Sequence, residues 1–397
     1  MHDIERAIHL GQEALRLYKQ GAPGPGLKAL NNLGVHLSVR YKQLGAMKDI
    51  DQAIVLGLQV LDHCPEEHSA RSSYLNNLAA HLSERYDKSG VMEDLDAAIV
   101  FNREALKLRQ KRHIRTGSLN NLASCLSTRY NQLGEMEDID EAIDLGREAL
   151  DLFPQGHHHQ SMPLSNLAVH LAARYSRLGV MGDFDAAIDF DRQALKLRPE
   201  GHLYRSRSLH NLAVHLSTRY EQLMAMEDLD KAINLEREAL ALCPPGHRNR
   251  PSSLDNLADC LFIRYKELGT MEDLDKAIDL EKEALTLRLE RDPGRSTSLN
   301  NLGICLSTRY TETGALQNLS DGIHLGRNAC DSGAETHPLR SSRLSNLAGS
   351  LPIRYGRLGA KEDPRSCDFP RASSTQPSPA SALWSVSAFE QLRRLPP

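Results

Sequence analysis

The stretch from Arg205 to Gly246, RSRSLHNLAVHLSTRYEQLMAMEDLDKAINLEREALALCPPG, decides the fold, because its pattern recurs along nearly the whole chain. The Asn-Leu pair falls at Asn32, Asn77, Asn121, Asn166, Asn211, Asn256, Asn301 and Asn346, in steps of 45, 44, 45, 45, 45, 45 and 45 residues. A fixed period of this size marks an array of supersecondary units, each too small to bury its apolar face alone. Leu209, Leu212, Leu216, Tyr220 and Leu223 fall on one stripe of a helix. Leu229, Ala232, Ile233, Ala239 and Leu240 form the stripe of a second helix, whose small alanines let the pair approach closely. Ser206 stands at the expected N-cap of the first helix, with Ser72, Thr116, Ser161, Ser296 and Ser341 in the same place, and Asp228 at that of the second. The run Cys243-Pro244-Pro245-Gly246 ends the unit.

Working outward, the pattern predicts an array over residues 1–363, with repeats starting near 27, 72, 116, 161, 206, 251, 296 and 341. A lone second-type helix over 4–17 precedes the first full unit, and Gly21 to Gly26 (GAPGPG) reads as a loop. The eighth unit is expected to fail, with Pro352 interrupting its first helix and Pro364 standing where its second should run. The Ser/Pro-rich tail, 364–397, reads as disordered.

Composition narrows the function. A net charge of -4 with 25% charged residues, and no Arg/Lys run, gives no long-range attraction to nucleic acid or to an anionic membrane. No run of apolar residues has signal-peptide or bilayer-spanning length, so a soluble, cytoplasmic protein is expected. The seven cysteines are scattered, three of them (Cys125, Cys260, Cys305) at one repeat position, which is not a disulfide framework. No hydrolase, metalloprotease or dinucleotide signature occurs, so neither catalysis nor a cofactor is expected.

Large apolar Leu164, then Asn166-Leu167-Ala168, Gly179, Ala187, Ala194 and Pro199 resemble the tetratricopeptide (TPR) repeat. The departures are Leu164 and Leu171 where the family has Trp and Tyr, and a 45-residue period where the common repeat has about 34. Leu-x-Asn-Leu-Ala with Arg-Tyr-x-x-Leu-Gly and Glu-Asp-Leu-Asp-x-Ala-Ile is similar to the long-period arrays of fungal proteins often found ahead of caspase-like CHAT domains. The resemblance implies an all-α, right-handed superhelical solenoid of helix-turn-helix repeats that binds a protein or peptide without catalysis. Two other readings stay open: the regulatory repeats of a longer CHAT-type signalling protease, and a scaffold that self-associates head to tail through its ends.

Four features bear on a site. Asn211 faces away from its helix's apolar stripe; the TPR resemblance implies that this face is the inner wall, where the Asn row should form a ladder of amides suited to an extended peptide backbone, or else bond between neighbouring repeats. His36, His81, Cys125, His170, His215, Cys260, Cys305 and Ser350 follow one turn later. Each unit offers one such group, too few and too far apart for a closed zinc site, so no metal is expected there or at His157, His158 and His159. Arg40, Arg85, Arg129, Arg174, Arg219, Arg264, Arg309 and Arg354 form an unbroken row, for which salt bridges to acids such as Asp94, Asp138 and Asp228 are expected. The sixth unit departs from the rest with Asp255, Asp259 and Phe262, a candidate hot spot for a ligand carrying Lys or Arg. The inward neighbours lack the Lys/Arg set with which chaperone adaptors clamp a terminal carboxylate.

Overall fold

The apolar stripes become helices. The computed structural model describes residues 2–19, 26–108, 112–247, 249–289, 292, 294–332 and 340–358, in which sixteen α-helices occur and no strand. They fall into two compact units, through Leu197 and from Arg198. The first holds α1 (His2–Lys19), α2 (Gly26–Leu44), α3 (Met47–His63), α4 (Arg71–Ser89), α5 (Met92–Lys107), α6 (Arg112–Leu133), α7 (Met136–Asp151), a 3-10 turn (His158–Gln160), α8 (Ser161–Leu178) and α9 (Met181–Lys196). The second holds α10 (Arg205–Leu223), α11 (Met226–Ala241), α12 (Arg250–Leu268), α13 (Met271–Leu287), α14 (Arg295–Thr313), α15 (Leu316–Ser332) and α16 (Arg340–Leu358). From α2 on, even-numbered helices are the first and odd-numbered the second of each pair. Within each unit every helix packs on its chain neighbours, and successive first helices also touch, α2 with α4 and α12 with α14 among them.

Burial follows the stripes. In the first unit one continuous core runs from Ile8 through Leu33, Ile50, Leu78, Leu95, Leu122 and Ile139 to Ala187. In the second, Leu209, Leu212, Leu216, Tyr220, Leu229, Ala232, Ile233 and Ala239 are all buried, but Leu223, counted above as the last stripe residue, is exposed beside the turn.

The Arg-Tyr dipeptide does two structural jobs. Arginine grips the acid nine residues on, at the third position of the second helix, through two hydrogen bonds of 2.6–2.8 Å: Arg40 with Asp49, Arg85 with Asp94, Arg129 with Asp138 and Arg174 with Asp183 in the first unit, and Arg219 with Asp228 and Arg264 with Asp273 in the second. Arg85, Arg129 and Arg174 also reach Asp51, Asp96 and Asp140 on the preceding second helix, and Arg264 reaches Asp230 in the same way. The tyrosine carbonyl accepts the C-terminal cap. The amides of Gly45, Gly90, Gly134, Gly179, Gly269 and Gly314 donate to Tyr41, Tyr86, Tyr130, Tyr175, Tyr265 and Tyr310 at 2.7–2.8 Å, with φ between 67° and 77°. Met224 takes this left-handed place after Tyr220 at φ 54°, the one non-glycine with positive φ among the described residues.

Three expectations are corrected. Ser72, Ser206 and Ser296 lie inside the first turn and are buried, while Ala70, Tyr204 and Gly294 precede the helices without a side-chain cap bond. A histidine upstream braces the approach to the helix instead: the Nδ1 atoms of His68, His202 and His247 each accept, at 3.2 Å, from the amide of the residue just before the helix, Ala70, Tyr204 and Asn249. Asp228 is likewise not an N-cap, since α11 starts two residues earlier and the carboxylate is spent on Arg219. Pro352 does not interrupt α16, which runs through it. The GAPGPG segment up to residue 25, the expected second helix of the eighth unit and the tail 364–397 lie outside the described residues.

Candidate functional site

The first helices carry the Asn row on one face of each unit. Asn32 and Asn121 are exposed, and the other six are half-buried. In the first unit Asn77 Nδ2 donates to Asn31 Oδ1 (2.9 Å). In the second, Asn256 donates to Glu236 (2.6 Å), Asn301 to Asp259 (3.0 Å) and Asn346 to Asn300 (3.2 Å). Four of the eight amides thus spend one N–H on a neighbouring helix. What they offer a ligand is the second N–H and the carbonyl oxygen, which in Asn301 already accepts from Asn300 (3.4 Å).

The sixth-unit residues are placed unequally. Asp255 is buried, ion-paired with Arg288 and accepting from Ser298 Oγ (2.8 Å). Asp259 is exposed. Surrounding protein pushes its carboxyl up to about 7, desolvation first and then repulsion from Asp255 and Glu221, although water still reaches the group. Phe262 is half-buried, its ring 5.8 Å from Lys266 Nζ.

Next to this pair lies a residue that the sequence reading passed over. Glu281, on α13, is 0% exposed; Asn301 and Asp255 are the polar groups at its carboxyl, and neither makes a well-aligned hydrogen bond to the carboxylate. Desolvation, then the neighbouring Asp255 and Asp259, push its carboxyl up to about 10. It occupies a column, the eleventh residue of each second helix, that reads Gly57, Asn102, Gly146, Asp191, Glu236, Glu281 and Gly326. Gly57 and Gly146 lie against Leu78 and Leu167, whose side chains would meet an added Cβ at 3.0 and 3.2 Å. Asp191 and Glu236 are also fully buried, and Glu236 is held by His210 Nδ1 (2.7 Å) as well as by Asn256. A charged residue on an otherwise apolar stripe was the available signal: Glu281 follows Leu274, Ala277 and Ile278 at i+7, i+4 and i+3.

The His/Cys column fills space between helices. His81 and His170 are buried, and burial lowers both to about 4. Burial raises Cys125 to about 11 and Cys260 to about 12. Six cysteines are free and buried. Among the described residues no group of three or more His, Cys, Asp or Glu side chains is placed to hold a metal, and no helix is long and apolar enough to cross a membrane.

No protein-family model matches the chain, and no curated protein does. Solved structures do. A human IFIT1 dimer with m7Gppp-AAAA has 14% identity over 89% of this chain and 69% of its own, with a TM-score of 0.53. A tetratricopeptide repeat protein from Parabacteroides merdae has 14% identity over 80% and 98%, with a TM-score of 0.47. The nearly identical TPR-like repeats of a kinesin light chain-like protein from Podosopora anserina have 19% identity over 55% and 97%, with a TM-score of 0.40. The fold is TPR-like. In this TPR-like chain the first helix runs far enough to carry Arg-Tyr, with its glycine cap just beyond, as at Arg174, Tyr175 and Gly179.

Proposed function

We propose that this protein is a non-catalytic interaction scaffold whose first-helix face binds an extended peptide or a disordered segment of a partner protein. The observation that carries this reading is the amide row: one asparagine per repeat, at a spacing set by the stacked pairs, none of it needed for the helices' own backbone bonds. Asn32 and Asn121 offer whole amides to solvent, whereas Asn77, Asn256, Asn301 and Asn346 are pre-oriented by their neighbours. Such pre-orientation lowers the ordering cost of gripping a flexible chain. Asp259 and Phe262 supply a charged and an aromatic anchor, with Asp255 held behind them by Arg288.

The test is selection of binders from a random-peptide display library, followed by replacement of Asn32, Asn121, Asn166 and Asn211 with Ala. Loss of binding with unchanged circular dichroism supports the reading. Selected peptides that bind the quadruple variant equally well remove the amide row from it.

An RNA-binding reading is prompted by the capped RNA in the human IFIT1 structure. The acidic pair Asp255 and Asp259 disfavours it, because negative charge there would repel phosphate.

A further inference from the structure

Around Glu281 the charges do not balance. From α12 come Asp255 and Asp259, and from α14 come Cys305, Asn301 and Ser298; Glu221 on α10 adds its charge near Asp259. Arg288, just after α13, is the cation on Asp255, and it already shares itself with Asp292 (3.1 Å). Asn301 donates to Asp259, and Ser298 to Asp255. Glu281 is left buried beside Asn301 and Asp255, neither in good hydrogen-bond alignment with its carboxylate, and no cation among the described residues pairs with it. An isolated ionised carboxylate is not tolerated in such a place, so the group carries its proton until a positive charge arrives.

We propose that Asp259 and Glu281, backed by Asp255, form a receptor for one cationic side chain, a Lys or Arg of the bound peptide, and that filling it releases the proton of Glu281. The proposal rests on the reading of the first-helix face as a peptide site and names the side chain that face selects. The head group docks on the exposed carboxylate of Asp259. Its field, little screened in the buried layer behind, then favours the ionised form of Glu281. Proton balance is one H+ given to solvent for each cation bound. Glu281 therefore makes the receptor pH-dependent: below its raised pKa, binding has to expel a proton, so affinity climbs with pH by up to about tenfold per unit.

The test uses the full chain and a small probe, Nα-acetyl-arginine amide, with the uncharged Nα-acetyl-citrulline amide as control. Carboxyl 13C resonances of Asp and Glu are followed during titration at about pH 8, where Asp259 is already ionised. The expected result is saturable movement of the Asp259 and Glu281 signals with the arginine probe alone. Affinity should rise by up to about tenfold per unit from about pH 7.5 to about pH 9. Glu281→Gln, which keeps the shape of the protonated acid, should bind with a flat pH profile, and Asp259→Asn should bind about tenfold more weakly or worse. Equal response to citrulline, a Glu281 signal that never moves, or a slope that persists in Glu281→Gln would overturn the proposal. Display peptides that bind without any Lys/Arg preference, together with a silent Glu281, remove this receptor and leave the peptide face standing. A responsive Glu281 with no peptide binders removes the peptide face and leaves the receptor.

Discussion

The guanidinium of Arg174 holds both carboxylate oxygens of Asp183, nine residues on and across the turn from α8 to α9, with two hydrogen bonds of 2.7 Å. The pair is mostly shielded from water, and Arg174 also reaches Asp140 on the preceding second helix (2.8 Å). One side chain thus ties a first helix to its own partner and to the pair before it. Its planar fork is the part that matters, since an ammonium cannot bond both oxygens in this geometry.

Replacement of Arg174 by Ala should destabilise the chain by about 1–3 kcal/mol and strand the Asp183 carboxylate. Lysine should recover less than half of that loss. Urea denaturation of the two variants and of Asp183→Asn, read as a double-mutant cycle, checks this. Additive single effects would mean that the bidentate pair is not the coupling element.

Met224 sits at φ 54° in a place that glycine fills at the ends of α2, α4, α6, α8, α12 and α14. Its side chain is exposed, so no packing is lost on removing it. Met224→Gly should stabilise the fold by about 1 kcal/mol, visible as a higher Tm. A lower Tm would show that the side chain makes a contact worth more than the strain.

Burial lowers the pKa of His170 from 6.5 to about 4. The unfolded chain therefore binds a proton that the folded chain refuses, so stability is full above about pH 6.5 and falls as pH drops toward about 4. Cys125, Cys260 and Cys305 occupy the same column in other repeats, so cysteine fits the site. His170→Cys should flatten the acid limb of a Tm–pH profile between those values, and an unchanged limb would place the acid sensitivity elsewhere.

The sign is opposite at Glu281, whose carboxyl is raised from 4.5 to about 10. Here the folded state holds a proton that the unfolded chain has lost, so stability declines as pH rises from about 4.5 toward about 10. Glu281→Gln removes that decline and should raise Tm at pH 8 by more than at pH 5. Equal shifts at both pH values would mean that Glu281 is ionised in the fold.

The helix pairs were legible because the stripe within a pair repeats without a break, as Leu209, Leu212, Leu216 and Tyr220 do with Leu229, Ala232 and Ile233. The Arg–Asp clasps were legible too, since an unbroken arginine row and an acid nine residues on have few other ways to pair. The caps were not. A serine at Ser206 satisfies the usual rule, whereas α10 has no side-chain cap bond and His202 only braces the amide of Tyr204 ahead of it, in a turn closed by the amide of His202 on the carbonyl of Pro199. Glu281 escaped for another reason: periodicity marks its position as buried, but a charged side chain there is easily read as surface. Only the neighbouring pair, with Asp255 and Asn301, reveals that the position is covered from both sides. A second arginine column, with Arg71 and Arg205 donating to the carbonyls of Cys64 and Arg198, was equally visible as a repeat, yet its acceptors are backbone atoms that no residue pattern announces.

The buried thiols carry one more consequence. Cys64 and Cys125 in the first unit, and Cys243, Cys260, Cys305 and Cys330 in the second, are shut away from solvent, and desolvation raises Cys125, Cys260, Cys305 and Cys330, which suppresses the reactive thiolate. An alkylating reagent can then modify a given cysteine only when its own helix pair opens. Mass-resolved alkylation rates would read out breathing repeat by repeat, without any engineered probe.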